Sequence, residues 1–597
     1  MQACARRPII SITPILPAPI RRWVQPLDPA IQRLLIPSDV SRGMEEASGS
    51  GSGALYAHQL LKALNIRFIV DDADLRRLPQ DGPAVAVCNH PHGIVEGLIL
   101  AAMLEPVRPD YRLVANFLVD AVPELRDRVI PVNPFSSAVA ARQNGAPLRE
   151  ALRWLEAGGL LVMFPAGEVA HYNWKEHTVT DPPWRTSAAR LALRAGCAVT
   201  PIFFDGANSL QFQLVGAIHP TLRTLSLAHE FQRLRGKSVR VRIGNPVPNA
   251  ALGRYGDPLH VTEYLRFRTY FLANRSDAHA ERKHNCQFRP FGRTVPPPAP
   301  HQLLADEVQA LPADRQLAAN GEFVVYLAGA AEIPALLPEI GRCRELTFRA
   351  ASEGTGEALD LDRFDRYYQH LFLWNKADRR LAGAYRLAVT TDILPGMGVN
   401  GLYTSTLFRY QPEFFDRMGP AVELGRSFVV PEYQKSYAAL LLLWKGILRL
   451  VQRRPEASVL FGAVSISRGY RAASRGLLAN YLQRESHSLA GLVRPRVQFR
   501  DPAARRASIR QLAAFAADVE HLSQSIADIE EDGKGVPVLV RQYLKVGGKL
   551  LGLTVDRRFS DSLDALILAD LRNAPRALLD RCLGRDEARS LLMARGS

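Results

Sequence analysis

Between about Ala54 and Ala273, short apolar runs take turns with helical patterns, and this alternation constrains the fold more than any other feature of the chain. The runs AVAVCN, YRLVANFLV, RVIPVN, LLVMFPAG, AVTPIFFDG and SVRVRIGNP read as strands. PLREALRWLEAGG and WRTSAARLALRAG carry apolar residues at helical spacing and close on glycine, the expected stop signal. The alternation argues an α/β domain.

One such domain does not use up 597 residues, because single hydrophobic cores stop growing at roughly 250 to 300 residues. The stretch KHNCQFRPFGRTVPPPAPHQLL has no apolar periodicity and holds Pro296, Pro297, Pro298 and Pro300, the composition of a semi-rigid spacer. A second mixed pattern follows, with strands expected at EFVVYLAG, RLAGAYRLAV, AVELGRSFVV and ASVLFGAVSIS and a long helix at SYAALLLLWKGILRLVQR. The first 50 residues are rich in Pro and Arg and end near MEEASGSGSG. The expected organisation is a flexible arm over 1–53, a first domain over 54–275, a linker over 276–320 and a second domain over 321–597, with no internal repeat.

Charge narrows the partners. Lys and Arg number 75 against 59 Asp and Glu, a net +16, so an anionic surface is expected; nucleic acid and the anionic face of a membrane both qualify. No helix-turn-helix, zinc or RNA-binding signature supports the nucleic-acid reading. Cys4, Cys88, Cys197, Cys286, Cys343 and Cys582 lack CxxC spacing, which argues against a metal site or a disulfide framework and for a reducing compartment. No apolar run approaches the roughly 18 residues of a membrane span, so any membrane contact is expected to be peripheral.

The first candidate site lies in AVAVCNHPHGIVEGLIL, residues 84–100, where a strand ends on Asn89 and His90 and a glycine turn leads into a helix bearing Glu96. An imidazole at the carboxyl end of a sheet strand sits where α/β proteins build their sites. It can take a proton from an acceptor hydroxyl while the carboxylate orients it. The competing reading makes His90 and His92 polar turn residues and Glu96 a helix N-terminal carboxylate.

This block resembles the first motif of the lysophospholipid acyltransferases (PlsC-type), Asn-His, four residues, then Asp. Here five residues separate His90 from Glu96 and three separate His92 from Glu96, so either histidine can be the base. VIPVNPF (129–135), FPAGEV (164–169) and VTPIFFDGANS (199–209) follow in the family's order. The resemblance covers about residues 54–250 and implies His90 and Glu96 as catalytic residues. It further implies Asn133, Phe164, Pro165, Gly167 and Glu168 as substrate-binding residues. Two departures stand out: Ala166 occupies the place of the usual Glu, and Asn133 stands where the family carries a phosphate-gripping Arg, with Arg126, Arg128 and Arg142 nearby. NHPHG with FPAGE and DPPWRTSAARLALRAG looks like the bacterial aminolipid branch, whose acceptor is a hydroxyl on an N-linked fatty chain.

The second candidate site begins at RCRELTFRAASEGTGEALDLDRFDRYYQHLFLW, with Asp360, Asp362 and Asp365 in one loop. Three close carboxylates suggest calcium, but the EF-hand Gly and closing Glu are missing, and a solvated loop is the alternative. With GAYRL and ELGRSFVVPEY, the run resembles the acyl-homoserine-lactone-synthase-like and ornithine N-acyltransferase branch of the GNAT superfamily. That resemblance implies an amine-acceptor site at Asp362, Asp365, Glu423 and Arg426, and a donor-phosphate loop starting at Gln434, where Tyr437 replaces a glycine. Glu423 is then either the base or an ion-pair partner of Arg426. Near the C-terminus Arg541, Lys545 and Lys549 recur every fourth residue, either a solvated helix face or, with Tyr543, Leu544, Leu550 and Leu551, an interfacial one.

The resemblances together imply an α/β bifunctional acyltransferase of ornithine-lipid type. One half would N-acylate an amino acid with a 3-hydroxyacyl chain, and the other would O-acylate the resulting lyso-lipid. The alternative is a single O-acyltransferase whose GNAT-like half only binds. No cofactor or metal is expected beyond an acyl carrier protein or coenzyme A thioester as co-substrate. The expected partners are acyl carrier protein, the membrane surface, the lyso-lipid and the amino acid, and not nucleic acid. The expected location is cytoplasmic, at the inner face of the membrane.

Overall fold

The computed structural model describes residues 38–47, 52–116, 123–133, 142–174, 178–218, 220–275, 292–434, 437–501, 509–510, 513–514, 516, 518–585 and 588. The chain divides into two compact units: Met1–Ser276 with Ala527–Ile529, and Asp277–Ile526 with Glu530–Ser597.

The first unit is built on a seven-stranded sheet. Its strands are β1 (Arg67–Ile69), β2 (Ala84–Cys88), β3 (Tyr111–Asn116), β4 (Val129–Val132), β5 (Leu160–Met163), then, after a small hairpin of β6 (His171–Asn173) and β7 (Thr178–Thr180), β8 (Ala198–Phe204) and β9 (Ser238–Ile243). The order is β1-β9-β8-β2-β5-β3-β4, parallel throughout except for the β8–β9 pair. Every residue of β2 is buried, as an inner strand covered on both faces requires. Ala84, Ala86 and Cys88 pack with Val95, Leu98 and Ile99 of the helix Ile94–Leu104. The helices Ser187–Ala195 and Pro258–Phe271 also pack on β2. The chain proceeds from β2 to one side and later returns to the other, so the carboxyl end of β2 lies at a topological switch point.

Two boundaries differ from the sequence reading. The described part of the expected arm is a helix, Ser38–Ala47. It packs on the helix Gly53–Ala63 because Gly43 carries no side chain; a Cβ there would lie 3.3 Å from Ala63 Cβ. Residues 527–529 group with the first unit, where the buried Asp528 carboxylate accepts from Arg268 Nε (2.8 Å) and the Asn245 amide (2.7 Å).

The second unit holds an eight-stranded sheet. It comprises β10 (Gln316–Asn320), β11 (Phe323–Gly329), β12 (Gln369–Asn375), β13 (Arg380–Val389), β15 (Ala421–Val429), β16 (Val459–Ile466), β18 (Lys549–Asp556) and β19 (Ser562–Asp570); β14 (Phe408–Tyr410) and β17 (Val493–Pro495) pair separately. The order is β10-β11-β12-β13-β15-β16-β19-β18, antiparallel apart from β15–β16. That parallel pair holds only where Ala421–Glu423 faces Val459–Phe461, although β15 continues to Val429 and β16 to Ile466. The sheet therefore forks after Glu423. Gly462 sits at the fork, where a Cβ would come within 2.1 Å of the Leu424 carbonyl oxygen.

The expected linker is also shorter than 276–320. Residues 301–309 form a helix whose Leu304, Ala305 and Val308 join Ile333, Leu336, Ile340, Phe372 and Trp374 in a core, and β10 occupies 316–320. Apolar residues at i, i+1 and i+4 after Pro300 carry this helix, a pattern masked by the prolines before it. The helix Tyr437–Arg453 covers the opposite face, where Gly446 admits Val325 and Leu371.

Candidate active sites

Three of the four blocks singled out in the first half end on adjacent parallel strands. Asn89 follows β2, Phe164 follows β5 and Asp205 follows β8, so one sheet edge carries all three. Asn89 fastens it: its amide donates to the Phe204 carbonyl (2.9 Å) and accepts from the Phe204 N–H (2.7 Å). Gly93, with φ +93°, turns the chain into the helix Ile94–Leu104 and puts Glu96 on its first turn. A carboxylate there is favoured by the helix N-terminus.

His90 Nδ1 faces Glu96 Oε2 at 3.7 Å, and among the described residues neither atom has a hydrogen-bond partner. The other carboxylate oxygen accepts from the His92 backbone N–H. The Phe164 ring lies on the imidazole, with centroids 4.3 Å apart. The His90 backbone is held from both sides, its N–H donating to Asp181 Oδ1 (3.1 Å) and its carbonyl accepting from the Ala170 N–H (2.8 Å).

His92 has other obligations. Its Nε2 contacts the Asp205 carbonyl at 3.0 Å, the donor arrangement of that tautomer, and it is packed against Gly206, whose Cβ would lie 2.6 Å from Nε2. It ties the β2 turn to the end of β8.

Burial sets the charge state. Glu96 is fully buried, which pushes its carboxyl up to about 8 against the pull of the His92 N–H. Burial, with His92 as a smaller cause, holds His90 down to about 3. Both shifts disfavour charge, so near neutral pH the imidazole is unprotonated and able to accept a proton. An imidazolium would in turn favour ionised Glu96.

The remaining residues expected in this half take mixed places. Gly167, at φ +71°, makes the turn after Phe164, and the Pro165 carbonyl accepts from the Arg185 N–H (2.9 Å). Glu168 is exposed on that turn. Asn133 is not brought to His90. It follows β4, three strand spacings or about 14 Å from β2, and its side-chain amide donates to Gln143 (2.7 Å).

In the second unit the acidic loop is neither solvated nor shaped for calcium: its carboxylates are taken up by buried arginines. Asp365 accepts from Arg344 (2.7 Å) and Arg386 (2.9 Å), Asp362 from Arg386 (2.6 Å), and Asp360 pairs with Arg426 Nε (3.0 Å). Burial works against the Asp365 carboxylate, but Arg344 and Arg386 hold its pKa well below the usual range. Asp362, Asp365 and Arg426 do come together, Arg426 Nη2 lying 3.9 Å from Asp362, with their charges already matched internally. Arg426 adopts φ +49°, a strained backbone for a residue with a Cβ, and its Nη1 donates to Tyr403 OH (2.8 Å).

Glu423 fits neither the base nor the ion-pair reading. At 2% exposure it accepts from Tyr368 OH and from the N–H groups of Tyr403 (3.1 Å) and Thr404 (2.7 Å). Three donors occupy its oxygens, the environment of a strut. Gln434 is exposed with Nε2 donating to the Val429 carbonyl (2.8 Å); Lys435 and Ser436 of the expected phosphate loop lie outside the described residues. The basic repeat near the C-terminus is broken, because the helix Val538–Lys545 ends at Gly547 (φ +85°) and Lys549 starts β18. Tyr543, Leu550 and Leu551 are buried, which removes the interfacial face expected there.

Residues 55–279 match the family described as Acyltransferase, and residues 343–445 match the acetyltransferase (GNAT) domain. A glycine N(alpha)-acyltransferase of Bacteroides thetaiotaomicron is 30% identical over 260 residues, spanning 41% of this chain and 76% of the relative. The chain belongs to the acyltransferases. It joins an acyltransferase domain to a GNAT domain. A glycine N(alpha)-acyltransferase of Phocaeicola vulgatus is 27% identical over 257 residues, 41% of this chain and 78% of the relative. A lyso-glycine lipid O-acyltransferase of the same species is 26% identical over 214 residues, 34% of this chain and 73% of the relative.

Sequence reasoning passed over several residues of this acyltransferase. Asp181, 1% exposed, binds the His90 N–H with one oxygen and Trp184 Nε1 (2.9 Å) with the other. The signal was present in DPPWRTSAARLALRAG, where an Asp and a Trp precede a helix without belonging to its apolar stripe. Arg344 on the helix Leu336–Ala350, Arg386 on β13 and Tyr368 just before β12 were likewise passed over.

Proposed function

We propose that the chain is a bifunctional aminolipid synthase: the GNAT domain N-acylates an α-amino acid with a 3-hydroxyacyl chain, and the PlsC-like domain esterifies the new 3-hydroxyl. The observation that carries the reading is His90 facing Glu96 at the end of β2, in a chain that also contains a forked sheet within its GNAT domain. In the PlsC-like site, His90 takes the hydroxyl proton as the oxygen attacks the acyl thioester. The forming imidazolium is stabilised by Glu96 in its ionised form, and the imidazolium proton then passes to the departing thiolate. Phe164 and Asp181 keep the ring in place. The relatives supply the substrates in this reading, since two carry names for N-acylation of glycine and one for O-acylation of its lyso-lipid. They bring glycine forward as a head group beside ornithine. Acyl carrier protein or coenzyme A thioesters serve as donors, and the positive charge of the chain favours peripheral contact with an anionic membrane face. No helix among the described residues is long and apolar enough to cross a membrane.

The test is mass spectrometry of products from the purified full chain supplied with 3-hydroxyacyl thioester, a second acyl thioester, and glycine or ornithine in parallel. The reading expects mono-acyl and then di-acyl amino acid from at least one head group. Absence of both products with either amino acid would sink it.

A further inference from the structure

The fork in the GNAT sheet gathers carboxylates that the site expected from sequence did not include. On β16, Ser465 lies past the last paired residue of the β15–β16 ladder and directly across from Asp564 on β19, which in turn faces Thr554 on β18. Cross-strand partners share a face of the sheet, so Ser465 and Asp564 present their side chains together. Glu353 reaches this face from the loop after the helix Leu336–Ala350 and accepts from Ser465 Oγ (2.9 Å). The loop is pinned by Ser467 Oγ to the Ala351 carbonyl (2.7 Å) and by Ser560 Oγ to the Gly354 carbonyl (2.8 Å).

Each of these carboxylates has an oxygen to spare. Glu353 Oε2 is taken by Ser465 and Asp564 Oδ1 by Ser562 Oγ (2.7 Å), while Glu353 Oε1 and Asp564 Oδ2 have no partner among the described residues. Their residues are 8% and 5% exposed. Neither spare oxygen is among the fully buried orphan atoms, so both still reach solvent from otherwise buried side chains, which makes the pair a receptor for a compact group rich in N–H. The titratable groups near Glu353 are Asp564 and Tyr470, and Asp564 is in turn approached by Asp556 on β18, Arg426 on β15 and Tyr403. Arg426 is committed to Asp360 and Tyr403.

We propose that Glu353 and Asp564 receive the α-ammonium group of the amino-acid acceptor and that Glu353 takes its proton. The proposal rests on the N-acylation reading and gives that reaction a base in place of Glu423. The ammonium gives one proton to the Glu353 carboxylate and becomes an amine. The nitrogen lone pair forms the bond to the thioester carbonyl carbon, the C–S bond breaks with its electron pair on sulfur, and the second nitrogen proton ends on the thiol. Glu353 then returns its proton to solvent. Burial pushes Glu353 up to about 7, near the pH at which such a base works best.

The test uses the full chain with Glu353→Gln, following N-acylation from pH 6 to 9.5 and O-acylation of supplied lyso-lipid in the same preparation. N-acylation is expected to fall about 100-fold at pH 7, with the deficit shrinking toward pH 9.5 as the free amine becomes abundant, while O-acylation holds. Asp564→Asn is expected to raise KM for the amino acid more than it lowers kcat. N-acylation by Glu353→Gln within twofold of wild type, with an unchanged pH profile, overturns the proposal while leaving the N-acylation reading intact. A wild-type chain that makes no N-acyl product overturns both. If Glu353→Gln loses O-acylation too, Glu353→Asp decides: partial recovery of N-acylation supports the base, and equal loss refutes it.

Discussion

His90 and His92 are two residues apart and chemically identical, yet the turn gives them different work. His90 keeps Nδ1 toward Glu96, whereas His92 spends its ring on the Asp205 carbonyl. His90→Ala should therefore lower O-acylation by about 10²- to 10⁴-fold and leave N-acylation unchanged, as separate assays of the two steps will read. The pH profile carries a sign. His90 is lowered to about 3, so its base form persists below the ordinary histidine range, and the acid limb of O-acylation should fall well under pH 6.5. Glu96, raised to about 8, is neutral below that value and ionises above it, so kcat/KM should step up a second time through pH 8, and Glu96→Gln should remove that upper step while leaving the lower limb. A limb centred at 6.5 would contradict this assignment. His90 and Glu96 were legible because an Asn-His at a strand end followed by glycine is a local signal. Asp181 was not, since its bond to His90 crosses 91 positions of sequence.

Among the elements, the runs that read as strands became β2, β3, β4, β5, β8, β9, β11, β13, β15 and β16, because unbroken apolar stretches between turns leave little choice. β12 was hidden in the acidic segment before it, and β18 and β19 behind a basic repeat that mimicked a helix until two glycines ended it. The acidic loop misled for a physical reason: its partners Arg344, Arg386 and Arg426 lie on a helix and two distant strands, so the sequence shows charge and the fold shows neutralised pairs. Removing one partner strands the others. Asp365→Ala should destabilise the GNAT domain by about 3–5 kcal/mol, measured by denaturant titration, because Arg344 and Arg386 would remain buried without it. A loss under 1 kcal/mol would show that the network contributes little. At the fork, a methyl at Gly462 has no room before the Leu424 carbonyl oxygen, so Gly462→Ala should reduce N-acylation by shifting β15 against β16.

Across the whole chain, burial has raised carboxyls in both domains: Glu96 and Asp564 to about 8 and Glu353 to about 7. These groups hold protons in the native state that the unfolded chain has already released. Stability conferred by them is complete at low pH and is lost as pH rises from the ordinary carboxylate range through the native values. His90 and His370, lowered to about 3 and about 4, act in the opposite sense below pH 6.5. The melting temperature should therefore fall between pH 6.5 and pH 8.5, the three carboxyls together costing roughly 5 kcal/mol over that interval. A flat or rising profile from pH 6.5 to 8.5 would refute the assignment of these groups. The two-domain division was readable from length and the proline-rich stretch, but its exact limits were not, because packing of 301–309 and 527–529 depends on partners far along the chain.

The most direct measurement is product analysis of the full chain and its His90→Ala variant, each given an amino acid and excess 3-hydroxyacyl thioester. Two independent sites require the wild type to reach the di-acyl amino acid and the variant to halt with mono-acyl product accumulating. A variant that still makes di-acyl product, or that loses the first acylation as well, would contradict the account.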